Sequence, residues 1–224
     1  MNRKENQSSQ ATGSPPTLRQ QVKAMYRDAV INAAEHVFST SGIRGARIQD
    51  IAKQAGVSVG SVYNHFAQKE DILMALVAKH NLELKGAFDA QPGDPSDFLG
   101  AMRARHERVM QFMHQHIGFY SLALYDGVQE SELVPPGSAL CTAREATEKR
   151  VGDIICELLE QGMREGVVRQ QSTSRLRHFY TGAVRGMLVA AARERNLDIV
   201  EEGRAALELF LRAICVDRFD SLCG

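Results

Sequence analysis

The stretch DIAKQAGVSVGSVYNHF, residues 50–66, constrains the fold of this chain more than any other part of the sequence. Two short helical patterns flank Gly56-Val57-Ser58, too close together to be independent helices and too apolar to form a linker. A helix-turn-helix has the same order of parts, with its helices crossed at about 90–120° so that the second helix enters the DNA major groove. We therefore interpret the stretch as a helix-turn-helix, with an ordinary αα corner as the alternative on geometry alone.

The residue types of this stretch suit their places in the motif. Glycine accepts the unusual backbone angles of the turn, which assigns that position to Gly56, and a serine oxygen can cap a helix start, which assigns Ser58 to the second helix. The apolar residues predict the buried seam between the helices: Ile51, Ala52, Val57, Val62 and Phe66. The outward face is then made of small residues that can approach base edges, and Asn64 on it can pair with adenine.

The residues at the end of the motif resemble those of a known family. Tyr63-Asn64-His65-Phe66, followed by Lys69-Glu70-Asp71-Ile72-Leu73, is similar to the TetR family of transcriptional regulators. The recognition helix of that family ends in a Tyr-x-His-Phe-like box, and its next helix opens with a Lys-Glu-x-Leu-like start. The resemblance covers roughly residues 26–76. It implies a sequence-specific DNA-binding regulator, a repressor that a small apolar or aromatic ligand releases from a pseudo-palindromic double-stranded DNA operator.

The resemblance also implies a role for individual residues. Tyr63 and His65 fall on positions that contact the DNA backbone, and Lys69 falls on the lysine that holds a phosphate. The groove-facing positions are Ser58, Val59, Gly60, Ser61 and Asn64. Arg47 is a departure, because the family usually has Thr or Ser there to cap the second helix; either the helix begins elsewhere or Arg47 contacts phosphate. Gln49 falls where the family also often reaches the backbone.

The charge of the whole chain does not point to nucleic acid, but the charge of its first third does. The 224 residues carry 27 Lys and Arg against 27 Asp and Glu, which asks for no anionic partner. Residues 17–80 carry eight basic side chains against five acidic ones, a local excess that suits phosphate contacts. The polar start of the chain has no apolar signal region, and no run approaches the roughly 18 apolar residues of a membrane span. We expect a cytoplasmic protein with no membrane partner.

The spacing of apolar residues predicts an all-α protein, with Pro and Gly at the joints between helices. Residues 1–21 are polar and aperiodic and predict a disordered arm. We expect the helix-turn-helix DNA-binding domain at residues 22–70 and a helical effector-binding and dimerisation domain at residues 71–224. The boundary lies inside or just before the fourth predicted helix, which must belong partly to both domains.

A stripe of small residues on the helix that begins near Ser174 predicts a close helix contact. Gly182, Gly186 and Ala190 recur at a spacing of four, and the family's architecture implies a two-fold four-helix interface at this place, as in most homodimers. The predicted interface residues are Phe179, Gly182, Gly186, Ala190, Leu207, Phe210, Leu211 and Ile214. The alternative is that the stripe packs only inside its own subunit.

Methionine, aromatic and histidine residues crowd the middle of the chain and predict an effector pocket, because apolar walls with a few polar groups line small-molecule sites. The candidates are Met102, His106, Met110, Met113, Phe119, Tyr120, Tyr125 and Tyr180. The alternative is a plain core. His114 and His116 point about 200° apart on one helix and cannot share an ion, so we predict no metal site.

Other functional classes have little support in the sequence. No G-x-S-x-G, Gly-rich phosphate loop, H-E-x-x-H or clustered cysteine motif is present, so we expect no enzyme, no catalytic residue and no cofactor. We expect the four cysteines, Cys141, Cys156, Cys215 and Cys223, to be reduced packing residues. The alternatives are a helical adaptor that binds only proteins and a regulator that senses redox state through a cysteine.

Overall fold

The computed structural model describes residues 17–89, 91–120, 139–194 and 197–216. These residues form α1 (Leu18–Gly45), α2 (Ile48–Ala55), α3 (Val59–Tyr63), α4 (Lys69–Phe88), α5 (Phe98–Gln115), α6 (Ala139–Arg164), α7 (Thr173–Arg193) and α8 (Ile199–Ile214). Residues 117–120 are also helical. An isolated bridge between Val168 and Cys215 is the sole β-pairing in the described part of the chain. The predicted all-α class is confirmed.

Helix α1 begins before the predicted end of the disordered arm, so residues 18–21 are helical. The reason is a capping box: the backbone N–H of Gln20 donates to Oγ1 of Thr17 at 3.3 Å, and that of Thr17 donates to Oε1 of Gln20 at 2.7 Å. The signal was present in the sequence as Thr17-Leu18-Arg19-Gln20. At the other end, Gly42 (φ 70°, ψ 162°) breaks the helix at the place where the sequence predicted a stop.

Two apolar cores are built on either side of α4. The N-terminal core joins α1 to α4 and includes Phe38, Ile51, Val62, Phe66, Ile72 and Leu76. The C-terminal core joins the end of α4 to α5, α6, α7 and α8 and includes Phe88, Phe98, Met110, Leu159, Tyr180 and Leu211. Helix α4 thus belongs to both, as the sequence predicted for its fourth helix. Phe119, which follows α5, is buried in the N-terminal core, so the segment after α5 braces the helix-turn-helix unit.

Arg108 of α5 holds the turn between α4 and α5. Its guanidinium donates to both carboxylate oxygens of Asp94 at 2.7 and 2.9 Å and to the carbonyls of Ala87 and Asp89 at 3.1 and 3.0 Å. The hydrogen bond from Arg108 outweighs the effect of burial and holds the pKa of the Asp94 carboxyl below its usual value. The last carbonyls of α4, which lack helical partners, are therefore satisfied by the next helix.

The absence of a side chain at Gly203 lets α8 lie against α5. A Cβ there would come within 2.5 Å of Sδ and 2.6 Å of Cγ of Met110, which is fully buried. The same position would be 3.3 Å from Nε2 of His106. Any larger residue must therefore push the two helices apart.

We expect Gly203→Ala to lower the free energy of unfolding by about 1–3 kcal/mol, the typical cost of overpacking a core. Urea unfolding at fixed protein concentration measures it. Gly86→Ala on α4 is the matched control, because a Cβ at that position has no neighbour within 4 Å. Helix propensity alone then makes the control more stable by about 0.5–1 kcal/mol. A Gly203→Ala protein as stable as the control would contradict the close packing of α5 on α8.

The described cysteines are free thiols, with Cys156 half-buried and Cys215 buried; the side chains of Cys141 and Cys223 lie outside the described residues. The redox alternative therefore stays a hypothesis. Among the described helices, none combines the length and the apolar character that crossing a membrane requires.

Candidate functional site

The turn between α2 and α3 has the geometry that the sequence predicted. Gly56 is left-handed (φ 68°, ψ 28°), and the N–H of Val57 donates to the carbonyl of Ala52 at 3.0 Å, which closes α2. The N–H of Ser61 donates to Oγ of Ser58 at 3.0 Å, which caps α3. Beneath the turn, Ile51, Ala52, Val62 and Phe66 are buried and Val57 is half-buried. The two short helices are thus fixed to each other by the backbone and by one apolar seam.

The predicted groove-facing residues lie on one outward surface of α3. Ser58, Gly60 and Asn64 are exposed, while Val59 and Ser61 are half-buried at its edges. Helix α3 ends at Tyr63, so it is shorter than the predicted helix, and Asn64 follows it with helical angles (φ −68°, ψ −15°). Tyr63 is 52% exposed and His65 is half-buried beside the ring of Phe66. The surface carries small polar groups and no acidic side chain.

Arg47 occupies the residue before α2, with extended angles and no side-chain hydrogen bond to the helix. The helix therefore does not begin elsewhere, and of the two possibilities that the sequence left open, the phosphate contact remains as a prediction. Arg47 and Gln49 are both exposed at the start of α2, where the N–H groups of the first turn lack helical acceptors.

The position of Lys69 corrects the phosphate role expected for it. Its Nζ donates to the carbonyls of Ile43, Arg44 and Ala46 at 2.8, 3.4 and 3.2 Å. An ammonium has three N–H donors, and all three are directed at the main chain between α1 and α2. Because the break at Gly42 leaves the last carbonyls of α1 without helical partners, Lys69 satisfies them and ties the start of α4 to the end of α1.

We expect Lys69→Met to lower the free energy of unfolding by about 1.5–3 kcal/mol, the value typical of hydrogen bonds to a charged group. The salt dependence of DNA binding should stay unchanged, because this ammonium is directed away from phosphate. Urea unfolding and binding titrations at several salt concentrations measure the two quantities, with Lys53→Met, an exposed lysine of α2, as the stability control. A smaller salt dependence with unchanged stability would restore the phosphate role.

The predicted effector residues are divided among three environments. A cavity of about 210 Å³ lies between α7 and α8, and two of the predicted residues, His106 and Tyr180, line it. Met102, Met110 and Met113 are packed in the C-terminal core and line no part of this cavity. Phe119 is packed in the N-terminal core, and Tyr120 is half-buried against the C-terminal core. Tyr125 lies outside the described residues.

His106 and Tyr180 form a buried polar pair at the wall of this cavity. Nε2 of His106 donates to the carbonyl of Gly203 at 2.8 Å, because a carbonyl can only accept. Nδ1 of the neutral ring then accepts the hydroxyl proton of Tyr180 at 2.7 Å. Burial lowers the pKa of His106, partly opposed by the hydrogen bond to Gly203, and burial raises the pKa of Tyr180. Both groups are therefore neutral, and the remaining wall is apolar.

The small-residue stripe of α7 is open in this chain. A Cβ at Gly182 or Gly186 would have no neighbour within 4 Å, so the alternative that these glycines serve contacts inside the subunit finds no support. Phe179 on the same face is 64% exposed, and Leu209 of the adjoining α8 is 68% exposed. Ala190 is half-buried. We call the surface formed by Phe179, Gly182, Gly186 and Leu209 the α7–α8 face.

The predicted interface residues on α8 belong to the subunit's own core. Leu207, Phe210, Leu211 and Ile214 are all at most 3% exposed, because the wide apolar side of α8 turns toward α5 and α7. The outward side of α8 carries Ala206, Leu209 and Ala213, which sequence reasoning missed. Their spacing of three and four was a visible second stripe, but the sequence does not say which of two stripes faces inward.

Comparison with known proteins agrees with this geometry. Residues 30–76 match the family model described as "Bacterial regulatory proteins, tetR family". The HTH-type transcriptional regulator TtgW of Pseudomonas putida is 33% identical over 108 residues, which are 48% of this chain and 79% of TtgW. The HTH-type transcriptional regulator SrpR, also of Pseudomonas putida, is 33% identical over 108 residues as well; the chain matches 50% of its length, about half of that relative.

A solved structure extends the likeness to most of the fold. The transcriptional regulator FadR from Bacillus subtilis in complex with stearoyl-CoA has a TM-score of 0.66 at 20% identity, with 84% of this chain and 98% of that chain covered. An exposed, capped second helix on an all-α body defines a helix-turn-helix protein. With the 79% coverage of TtgW at 33% identity, the chain belongs to the TetR family of bacterial regulatory proteins.

Proposed function

We propose that the protein is a sequence-specific DNA-binding regulator of transcription. In this proposal, a homodimer represses by binding a pseudo-palindromic operator, and a small apolar or aromatic ligand releases it. The observation that carries the proposal is the outward surface of α3, where Ser58, Gly60 and Asn64 stand exposed on a helix whose two ends are fixed by hydrogen bonds. A rigid helix with small exposed side chains can enter the major groove and reach base edges.

Base reading and backbone binding fall to different residues in this proposal. Asn64 offers an amide that can bond adenine in bidentate fashion, with Ser58, Val59, Gly60 and Ser61 around it. Arg47, Gln49, Tyr63 and His65 surround this surface and would contact phosphate. Phosphate contacts fix the orientation of the protein on the duplex, while base contacts supply the sequence preference.

The α7–α8 face supports the homodimer. An isologous contact brings the same surface of two subunits together, and the glycines at 182 and 186 let two α7 helices approach closely. Phe179 and Leu209 supply the large apolar side chains that such a contact would bury. The residues predicted from sequence on α7 keep their place in this proposal, and Ala206, Leu209 and Ala213 replace those predicted on α8.

The cavity between α7 and α8 supports ligand release. It is lined by apolar side chains and by the neutral His106–Tyr180 pair. Its 210 Å³ falls below the roughly 300–1,000 Å³ of most ligand pockets, so we propose a compact ligand. Phe179 and Leu209 belong both to its wall and to the α7–α8 face. A ligand that separates α7 from α8 would change the dimer contact and hence the spacing of the two α3 helices.

Sequencing the genomic DNA fragments that co-purify with the protein tests the proposal. We expect a shared motif with two-fold symmetry and half-sites about one helical turn apart. Binding titrations on that motif and on shuffled DNA at one salt concentration then give the specificity ratio, expected at about 10³ or more. Equal affinity for the two DNAs would reject sequence-specific binding.

A further inference from the structure

Three metal-binding side chains meet where the N-terminal core adjoins the end of α5. They are Glu35 of α1, His80 of α4 and His116, the residue after α5. Their ligand atoms all lie within 4.8 Å of one another. Nδ1 of His116 is 2.5 Å from Oε1 of Glu35, and Nε2 of His80 is 3.3 Å from Oε2 of the same carboxylate. One carboxylate thus lies between two imidazoles from two different helical segments.

His80 has polar atoms that the protein itself does not satisfy. The residue is 2% exposed, and neither Nδ1 nor Nε2 has a hydrogen-bond partner among the described residues. Its contact with Glu35 lacks the alignment of a hydrogen bond. The ring is held among aromatic groups, with its centroid 4.8 Å from that of Phe119 and 4.4 Å from that of His116. Because buried imidazole nitrogens nearly always have a partner, the orientation of His80 calls for one at this point.

We propose that Glu35, His80 and His116 bind one divalent first-row metal ion, Zn²⁺ above all. Two imidazole nitrogens and one carboxylate oxygen are a donor set that zinc sites use, with a fourth position left for water or another ligand. Imidazole suits Zn²⁺, Ni²⁺ and Cu²⁺ and disfavours Ca²⁺ and Mg²⁺, which take oxygen ligands. Zinc–ligand distances of about 2.0–2.2 Å require small rotations of these side chains from their present positions.

The surroundings of His116 fit this role. When Nδ1 binds a metal, Nε2 carries the proton, and metal-binding histidines usually direct that N–H at a carboxylate or carbonyl. Oε2 of Glu83 lies 3.9 Å from Nε2 of His116, on the side away from Glu35. The side chains of Glu35 and His116 are 18% and 17% exposed, so an ion can enter from solvent on the side away from His80.

The sequence did not reveal this site because its residues are far apart in the chain. His114 and His116 were the only histidine pair with a suggestive spacing, and they do not share a site: His114 is exposed on α5 while His116 faces Glu35. The ion would connect α1 and α4 of the helix-turn-helix unit to the end of α5. Metal binding does not depend on the proposed DNA function, and its test does not use DNA.

The test is titration of the tag-free, metal-depleted full chain with ZnCl₂ by calorimetry, together with thermal unfolding. We expect one ion per chain and a rise in melting temperature, since a ligand that binds only the folded state stabilises it. Glu35→Gln and His116→Gln should each weaken binding by more than the roughly 10–100-fold that loss of an outer partner costs. His36→Gln and His114→Gln, exposed neighbours of the two ligands, are the controls and should bind as the unaltered chain does.

Spectroscopy of the unaltered chain gives a second measurement that does not depend on the folding of any variant. X-ray absorption of the zinc-loaded protein should show two imidazoles and one carboxylate in the coordination shell. Failure to bind one ion per chain, a coordination shell without two imidazoles, or equal loss of affinity in the control variants would each overturn the proposal.

Discussion

Gly186→Leu is expected to dissociate the homodimer. A side chain at this position meets nothing within 4 Å in its own chain, so the isolated subunit should fold normally. In a close two-fold crossing of α7 helices the leucine occurs twice, and overpacking at about 1–3 kcal/mol per site sums to about 2–6 kcal/mol. The dimer dissociation constant should rise by about 30- to 20,000-fold. Sedimentation velocity at several concentrations measures it.

Gly86→Leu is the matched control for this change, because it places the same side chain on α4 at a position that is also open. It should leave the dimer intact. If the chain without substitutions is a monomer at micromolar concentration, or if Gly186→Leu dimerises as tightly as Gly86→Leu, the α7–α8 face is not the dimer interface.

Asn64→Ala is expected to separate base reading from backbone binding. Loss of a bidentate contact costs about 1–3 kcal/mol at each half-site, so two half-sites together lose about 2–6 kcal/mol of operator affinity. Preference should relax at one base pair per half-site, while the dependence of affinity on salt stays the same. Competition titrations with operators substituted at single positions measure this loss.

Arg47→Ala is the contrasting variant on the neighbouring helix. It should weaken binding about equally on all sequences and reduce the salt slope by about one unit per half-site. Should Asn64→Ala lose operator and random DNA to the same extent, this end of α3 does not read sequence, and our assignment of its outward surface is wrong.

The parts of the fold that sequence reasoning predicted are those that local chemistry determines. The left-handed turn at Gly56 and the cap at Ser58 depend on residues within one helical turn of each other, and each residue type allows few alternatives. The helix pattern on both sides of α4 was similarly local. The capping box at Thr17 was also local, and it was missed because the polar composition around it suggested disorder.

The parts that could not be predicted depend on contacts between distant segments. The role of Lys69 follows from the break at Gly42, which exposes carbonyls 23 to 26 residues away in sequence. The buried side of α8 is decided by α5, and the encounter of His80 with Glu35 by the packing of α1 on α4. No spacing within one helix carries that information, so the sequence could supply the residues of the dimer face on α7 but not those on α8.

The overlap between cavity and α7–α8 face has a consequence for how such a protein can diverge. Duplicated regulators in one cell must avoid forming mixed dimers, and the simplest route is to change the side chains at the subunit contact. Phe179 and Leu209 also line the cavity, so a change that prevents mixed pairing here alters the inducer preference in the same step. Designers of biosensors who want a new inducer with unchanged pairing should therefore begin at His106, which lines the cavity from the buried side.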